Sequence, residues 1–185
     1  YGFEKGLMKD EIELVFDYPA KVAAMLLNDE ADIGLIPVAV IPKMPEYHII
    51  SDYCIGAIEP VASVCLFSDV PLEEIKEILL DYQSRTSAAL LKILLKEHWH
   101  IEPILTNTNE GYQERIKGTT AGLVIGDRAL KQRKSSRYIY DLAEVWQQMT
   151  GLPFLFAAWV ANKKLPKSFI EQFNEATATG FKHLP

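Results

Sequence analysis

Two apolar runs, residues 61–67 (VASVCLF) and 154–160 (FLFAAWV), stand on either side of a helix-rich middle, residues 71–150. Runs of this kind read as buried strands, because a strand covered on both faces has no polar side to show. A chain that enters and leaves an inserted middle through two such strands is expected to form two lobes joined by a pair of hinge crossings. Residues 1–67 with 154–185 then make the first lobe, and residues 68–153 the second. The length, 185 residues, suits one compact domain or two small lobes.

The other segments fill in this frame. Residues 11–16 (EIELVF) alternate polar and apolar side chains, which predicts a half-buried strand. Pro19 opens a helix running to Asn28, since proline loses nothing where the N–H has no partner. Residues 31–38 (ADIGLIPV) read as a buried strand ending at Pro37, and residues 53–57 and 61–67 as a further strand pair. Pro71 starts a short helix, followed by a strand over 78–82. The helix over 84–97 carries Ala88, Ala89, Leu90, Leu91, Ile93, Leu94 and Leu95 almost all round it, as expected of a helix buried on most sides. A strand over 121–125 leads straight into a helix begun by Asp127. Asp141 caps an amphipathic helix that Gly151 ends, with Pro153 just beyond. A strand over 155–160 and a helix over 166–180 complete the chain. Such alternation predicts an α/β fold with parallel sheets covered by helices.

Composition excludes several classes of function. Apolar residues make up 49% and charged residues 24%, the balance of an ordinary folded chain rather than a disordered one. Nineteen basic against 25 acidic side chains give a formal charge of −6, the wrong sign for neutralising phosphates, so no nucleic-acid partner is expected. Arg128, Lys131, Arg133, Lys134 and Arg137 crowd together, and read most simply as a solvated helix face and loop. The longest apolar stretch, residues 152–161, is about half of the ~20 residues a bilayer helix needs, so no membrane partner is expected. Cys54 and Cys65 cannot build a disulfide framework and sit in apolar runs where a free thiol behaves as a small hydrophobe. With no secretory leader in the sequence, a reducing cytoplasm is the expected compartment.

One stretch carries more chemistry than the rest: Asp81-Tyr82-Gln83-Ser84-Arg85-Thr86-Ser87, joining a strand to the start of a helix. The first N–H groups of a helix lack intrahelical partners and the dipole is positive there. The Ser84, Thr86 and Ser87 hydroxyls and the Arg85 guanidinium add donors at the same place, which is what a carboxylate or phosphate site needs. Ordinary N-capping explains one serine of the set. Gly126-Asp127-Arg128 opens a second helix, where Asp127 reads most simply as an N-cap. It also stands at a strand's carboxyl end, where open α/β sheets bind ligands. His98 and His100 point apart on a helix and have no acidic or cysteine partner nearby, so no metal site is expected. Nucleophile elbows, Walker loops and dinucleotide fingerprints are absent from the sequence. Trp146 and Trp159 read as core.

Several segments, in order, resemble one family. They are Ala31-Asp32-Ile33-Gly34-Leu35-Ile36-Pro37, Cys54-Ile55-Gly56-Ala57 with Val61-Ala62-Ser63-Val64, and Ser84-Arg85-Thr86-Ser87-Ala88-Ala89-Leu90-Leu91. Ile125-Gly126-Asp127-Arg128-Ala129-Leu130 follows, then Asp141-Leu142 with Trp146 and Thr150-Gly151-Leu152-Pro153-Phe154. The series is similar to the chorismate dehydratases of the futalosine route to menaquinone, the MqnA family, across nearly the whole chain. The resemblance implies a two-lobed type II periplasmic-binding-protein-like fold with an interlobe cleft. It implies removal of water from chorismate, a small dicarboxylate, to give 3-[(1-carboxyvinyl)oxy]benzoate, with no metal or organic cofactor. Family members open with a strand and a Tyr-Leu-Asn-Thr stretch that nothing before Tyr1 supplies, so the first lobe is expected to lack that strand.

The implied chemistry is an elimination driven by aromatisation, so the protein must chiefly orient a dianion and stabilise charge in a dry site. Ser84, Arg85, Thr86, Ser87 and Gly126 are the expected substrate contacts, and Ser63 and Asp127 the expected catalytic positions. A carboxylate of the substrate or Asp127 takes the proton. Two other readings share the fold. One is 1,4-dihydroxy-6-naphthoate synthase of the same route, and the other a non-catalytic solute-binding or ligand-sensing module.

Overall fold

The structure, a computed structural model, describes residues 2–183. The chain divides into two compact units, Tyr1–Ile55 with Ala157–Pro185, and Gly56–Phe156.

The first unit begins with turns over residues 2–11, followed by irregular chain to Tyr18. The alternating segment over 11–16 is therefore not a strand. Val15 and Phe16 are exposed, and none of the strands pairs with it. A period of two supplies one apolar face but no ladder partner, and without a partner the extended backbone gains nothing. Pro19–Leu27 is a helix (α1) with proline in its first turn, and Ile33–Pro37 is a strand (β1), both as expected. His48–Ala57 (β2) and Phe154–Ala161 (β8) complete a sheet ordered β1-β8-β2, with β1 and β8 antiparallel. Ala23 and Leu26 of α1 pack on Ile36, Ala158 and Val160. Gly34 lets α1 lie this close, since a Cβ there would stand 2.7 Å from Val22 Cγ1. The helix Lys167–Phe181 (α5) sets Phe173 against Phe3 and Trp159.

The second unit is built on Val64–Ser68 (β3), Glu77–Leu80 (β4), Ile104–Asn107 (β5), Thr120–Ile125 (β6) and Tyr138–Asp141 (β7). Their order is β5-β4-β6-β3-β7. β4 runs parallel to β5 and β6, while β3 is antiparallel to β6 and β7, so the sheet is mixed rather than all parallel. Alternate residues feed opposite faces, as strand geometry dictates. Leu66, Ile78, Leu80 and Leu123 meet the helices Arg85–Leu94 (α2) and Leu142–Thr150 (α4), whereas Cys65, Phe67, Leu79 and Val124 meet Ala129 of Gly126–Gln132 (α3) and Tyr112.

Three expectations need correcting. Residues 53–57 and 61–67 are not a pair, because β2 and β3 belong to different sheets. The first crossing lies at 55/56 rather than 67/68, since β3 takes its ladder partners from the second unit. The return lies at 156/157 rather than 153/154, where Phe154 and Phe156 still pack on the second core. α2 is also more one-sided than its composition implies: Leu90, Leu91 and Leu94 are buried, while Ile93 is 43% exposed. Cys54 is exposed on β2 rather than packed. Among the described residues no helix is long and apolar enough to cross a membrane.

Candidate functional site

The sheet register gathers the chemistry-bearing turns at one edge of the second unit. β4, β5 and β6 are parallel and end at Leu80, Asn107 and Ile125. β3 starts and β7 ends at this same edge, because Val64 lies opposite Ile125 and Cys65 opposite Asp141. In sheet order the edge therefore presents Thr108, the turn 81–87, the turn 126–128, Ser63 and Asp141. Crevices off the carboxyl ends of strands are where open α/β sheets bind ligands.

Asp81 ties the edge together. It is 5% exposed and accepts from Gln83 N at 2.9 Å, Tyr112 Oη at 2.8 Å, Ile125 N at 3.3 Å and Arg128 Nη2 at 3.1 Å. One carboxylate thus joins the turn before α2 to the turn before α3. Arg128 Nη2 also donates to Gln83 Oε1 at 2.8 Å, and its guanidinium carbon stands 5.1 Å from the Tyr82 ring centroid. Burial, reinforced by the negative charge of Asp81, pushes the Tyr112 hydroxyl far above the ordinary tyrosine range, so it stays protonated. Thr108 closes the neighbouring strand end by donating to the Leu80 carbonyl at 2.6 Å.

At the start of α2, Ser84 is the N-cap: its Oγ accepts from Ser87 N at 3.1 Å and donates to Ser87 Oγ at 2.7 Å. Capping thus accounts for Ser84 and engages Ser87, more than the one serine expected. Thr86 and Ser87 are buried and Arg85 is exposed. At the start of α3, Gly126 has φ +63°, a left-handed conformation that a side chain would strain, and its N–H donates to the Ser63 carbonyl at 2.7 Å. Ser63 and Gly126 are thereby brought together. Asp127 is not the N-cap; that position is Ile125, and Asp127 stands exposed in the first turn. Asp141 caps α4 through Ala143 N and Glu144 N, and its other oxygen accepts from Ala62 N at 2.6 Å, fixing Ala62 at φ +58° beside Ser63.

The residues that sequence reasoning missed are those that build the edge rather than line it. Asp81 is in the motif that drew attention, but its partners Tyr112, Ile125 and Arg128 are distant in the chain. Arg128 was expected on a solvated face and is instead turned onto a buried carboxylate. The available signal was an acid closing one apolar strand and a base just after another. Among the described residues no group of three or more His, Cys, Asp and Glu side chains is placed to hold a metal ion.

A mixed α/β sheet with helix starts and a buried polar lattice at its carboxyl edge defines an α/β protein of binding-protein-like fold. Comparison narrows the class. The menaquinone biosynthesis family matches residues 1–184, and the chain belongs to that family. A protein of Thermus thermophilus named chorismate dehydratase is 29% identical over 186 residues, covering 90% of this chain and 68% of that protein. A crystal structure of an Archaeoglobus fulgidus protein superposes with a TM-score of 0.70 at 18% identity, over 93% of this chain and 66% of that one. An ABC transporter structure from Parabacteroides distasonis gives 0.53 at 17% identity, over 98% and 70%. The chain thus spans about two thirds of the length of these relatives. The structural likenesses show the fold alone, the α/β binding-protein-like class.

Proposed function

We propose that this protein is a hydro-lyase that removes water from chorismate, giving 3-[(1-carboxyvinyl)oxy]benzoate for menaquinone synthesis. The observation that carries the reading is the shared sheet edge, at which the turns holding Ser63, Ser84–Ser87 and Gly126–Asp127 all open. Membership of the menaquinone biosynthesis family and the name of the Thermus thermophilus relative support it.

In this reading the substrate loses a ring hydrogen beside its enolpyruvyl ether together with the neighbouring hydroxyl, and the ring becomes aromatic. Aromatisation supplies the driving force, so the protein contributes position and charge stabilisation. The α2 N-terminus, with the Arg85 charge, faces a carboxylate. Because Ser84 donates to Ser87, the Ser87 hydroxyl hydrogen is left for a carboxylate oxygen. Gly126 lets the substrate approach backbone, and Ser63 holds Gly126 in place through its carbonyl. Either Asp127 or a substrate carboxylate takes the ring proton. The exposed Cys54 thiol accords with a reducing cytoplasm.

The test is incubation of the chelator-treated protein with chorismate, with products followed by chromatography. Appearance of the enol-ether benzoate is the expected result, and unchanged chorismate refutes the enzyme assignment. Tight chorismate binding without turnover points instead to a solute-binding module, and turnover of the naphthoate synthase substrate to the sister enzyme. Losing a charge-assisted hydrogen bond costs about 1.5–3 kcal/mol, so Ser87→Ala is expected to weaken chorismate binding by roughly tenfold or more. Asp127→Asn separates the two bases: full activity in that variant leaves the substrate carboxylate.

A further inference from the structure

Ala62, between β2 and β3, has φ +58°. Of the other non-glycine residues with positive φ, Asp29 and His100 close helical turns, where that conformation is ordinary, and Met8 lies in the turns that open the first unit. Ala62 has no such setting. Ser63 N donates to the Val61 carbonyl at 2.6 Å across it, which makes residues 61–63 a γ-turn of the rare, strained form. Strained backbone persists only where its surroundings over-determine it.

The surroundings here are specific. Asp141 Oδ2 accepts from Ala62 N at 2.6 Å, and the Gly126 N–H donates to the Ser63 carbonyl at 2.7 Å. β7 brings Asp141 to the turn, since Asp141 stands opposite Cys65 in the ladder with β3. The buried carboxylate divides its work. Oδ1 accepts from Ala143 N and Glu144 N at the start of α4, while Oδ2 is left for Ala62 N and, at 3.8 Å, the Cys65 thiol. Capping the helix needs only the first oxygen. Ser63 is half-buried, and its hydroxyl takes no partner among the described residues.

From these observations we propose that Asp141 is a positioning residue for the sheet edge. By holding the strained turn at Ala62 it fixes Ser63, and through the Ser63 carbonyl it fixes the turn at Gly126 and Asp127. Ser84 and Ser87 at the α2 start bond to each other instead. Asp141 therefore governs where the expected catalytic positions stand, not the expected carboxylate contacts. Its effect on turnover rests on the dehydratase reading; its effect on the Gly126 turn does not.

Asp141→Asn tests it. Asparagine is an equally good N-cap, so its oxygen stays with the two α4 N–H groups and its NH2 turns toward Ala62 N–H. As Ala62 leaves the strained conformation, kcat for chorismate is expected to fall about tenfold, with KM changed by less than about twofold. The Gly126 amide resonance, read by NMR without substrate, is expected to shift. Adding Ala62→Gly is expected to return that resonance and to bring kcat back to within about threefold of the parent, because glycine adopts positive φ freely. A purely structural role for Asp141 predicts no such rescue. Ala62→Val keeps Asp141 but resists positive φ more strongly, and is expected to reproduce the loss even where Asp141→Asn fails to fold. An unmoved Gly126 resonance with kcat within about twofold of the parent, in Asp141→Asn or in Ala62→Val, overturns the proposal. So does a double variant no better than Asp141→Asn. If the parent protein leaves chorismate unchanged, the dehydratase reading fails and the Gly126 shifts alone decide this one.

Discussion

Asp81→Asn is the substitution that bears hardest on the sheet-edge lattice. The native carboxylate, fully buried in its side chain, serves two backbone N–H groups, one phenol and one guanidinium. Asparagine keeps the shape but replaces one acceptor oxygen by an NH2 donor. Whichever way it turns, a backbone N–H loses its acceptor, that of Gln83 on one side or of Ile125 on the other, and the guanidinium keeps its charge without a counter-ion. Breaking a buried ion pair from one side costs about 3–5 kcal/mol. The Arg128 side chain is 28% exposed, so water recovers part of this and the lower end, about 3 kcal/mol, is the expected loss. With urea m-values of roughly 1–3 kcal/mol per molar, the midpoint falls by about 1–3 M. Urea unfolding followed by tryptophan fluorescence reads it, since Trp99 and Trp146 lie in the second unit. Arg128→Met added to Asp81→Asn is expected to recover part of the loss, because the unpaired charge has gone. A loss below about 1 kcal/mol, the scale of a surface pair, or a double variant no better than the single, would refute the reasoning.

Burial, with the charge of Asp141 beside it, pushes the Cys65 thiol from its ordinary 9.0 up to about 12. A thiol reagent at pH 8 is therefore expected to modify Cys54 in the folded protein and Cys65 only after unfolding. Above pH 9 the unfolded chain releases this proton while the native state holds it to about 12, so stability falls as pH rises through that window, by about 1.4 kcal/mol per pH unit for each such group. Tyr112, shifted in the same direction from 10.0, steepens the fall above pH 10; urea midpoints between pH 8 and 11 check both. Gly122→Ala would place a Cβ 2.6 Å from Ile116 Cγ1, and the overpacking is expected to cost about 1–3 kcal/mol in the same assay; no loss would mean Ile116 moves aside freely.

Local signals were legible in the sequence wherever one residue's chemistry decides the outcome. Pro19 starts α1, Asp141 and Gly151 bound α4, and the αL conformation at Gly151 (φ +71°) is what its place after the last helical turn requires. Pairing was not legible to the same degree. EIELVF has a strand's period yet joins no sheet, because nothing in a period names a partner. Residues 61–67 were correctly apolar but assigned to the wrong neighbour, since a doubly buried strand looks alike in either sheet. β5 and β7 escaped notice because each is four residues long and only partly apolar.

The same division governs the site. Ser84 and Ser87 bond to each other within one helical turn, and that arrangement can be read from their spacing. Arg128 and Asp81 are separated by 47 residues, and their meeting depends on β4 and β6 lying side by side in parallel. Once those strands pair, their carboxyl ends are adjacent by geometry, and an acid closing one strand stands beside the turn that follows the other. The basic cluster after residue 127 then ceases to be uniform. Its first member is drawn inward by the carboxylate, Arg133 reaches the Cys65 sulfur at 3.5 Å, and Arg137 lies against the ring of Tyr138. Charge runs are read as solvated faces because water is the default partner of a cation. That default fails at a strand's carboxyl end, where a buried acid is available and a helix start brings the cation within reach.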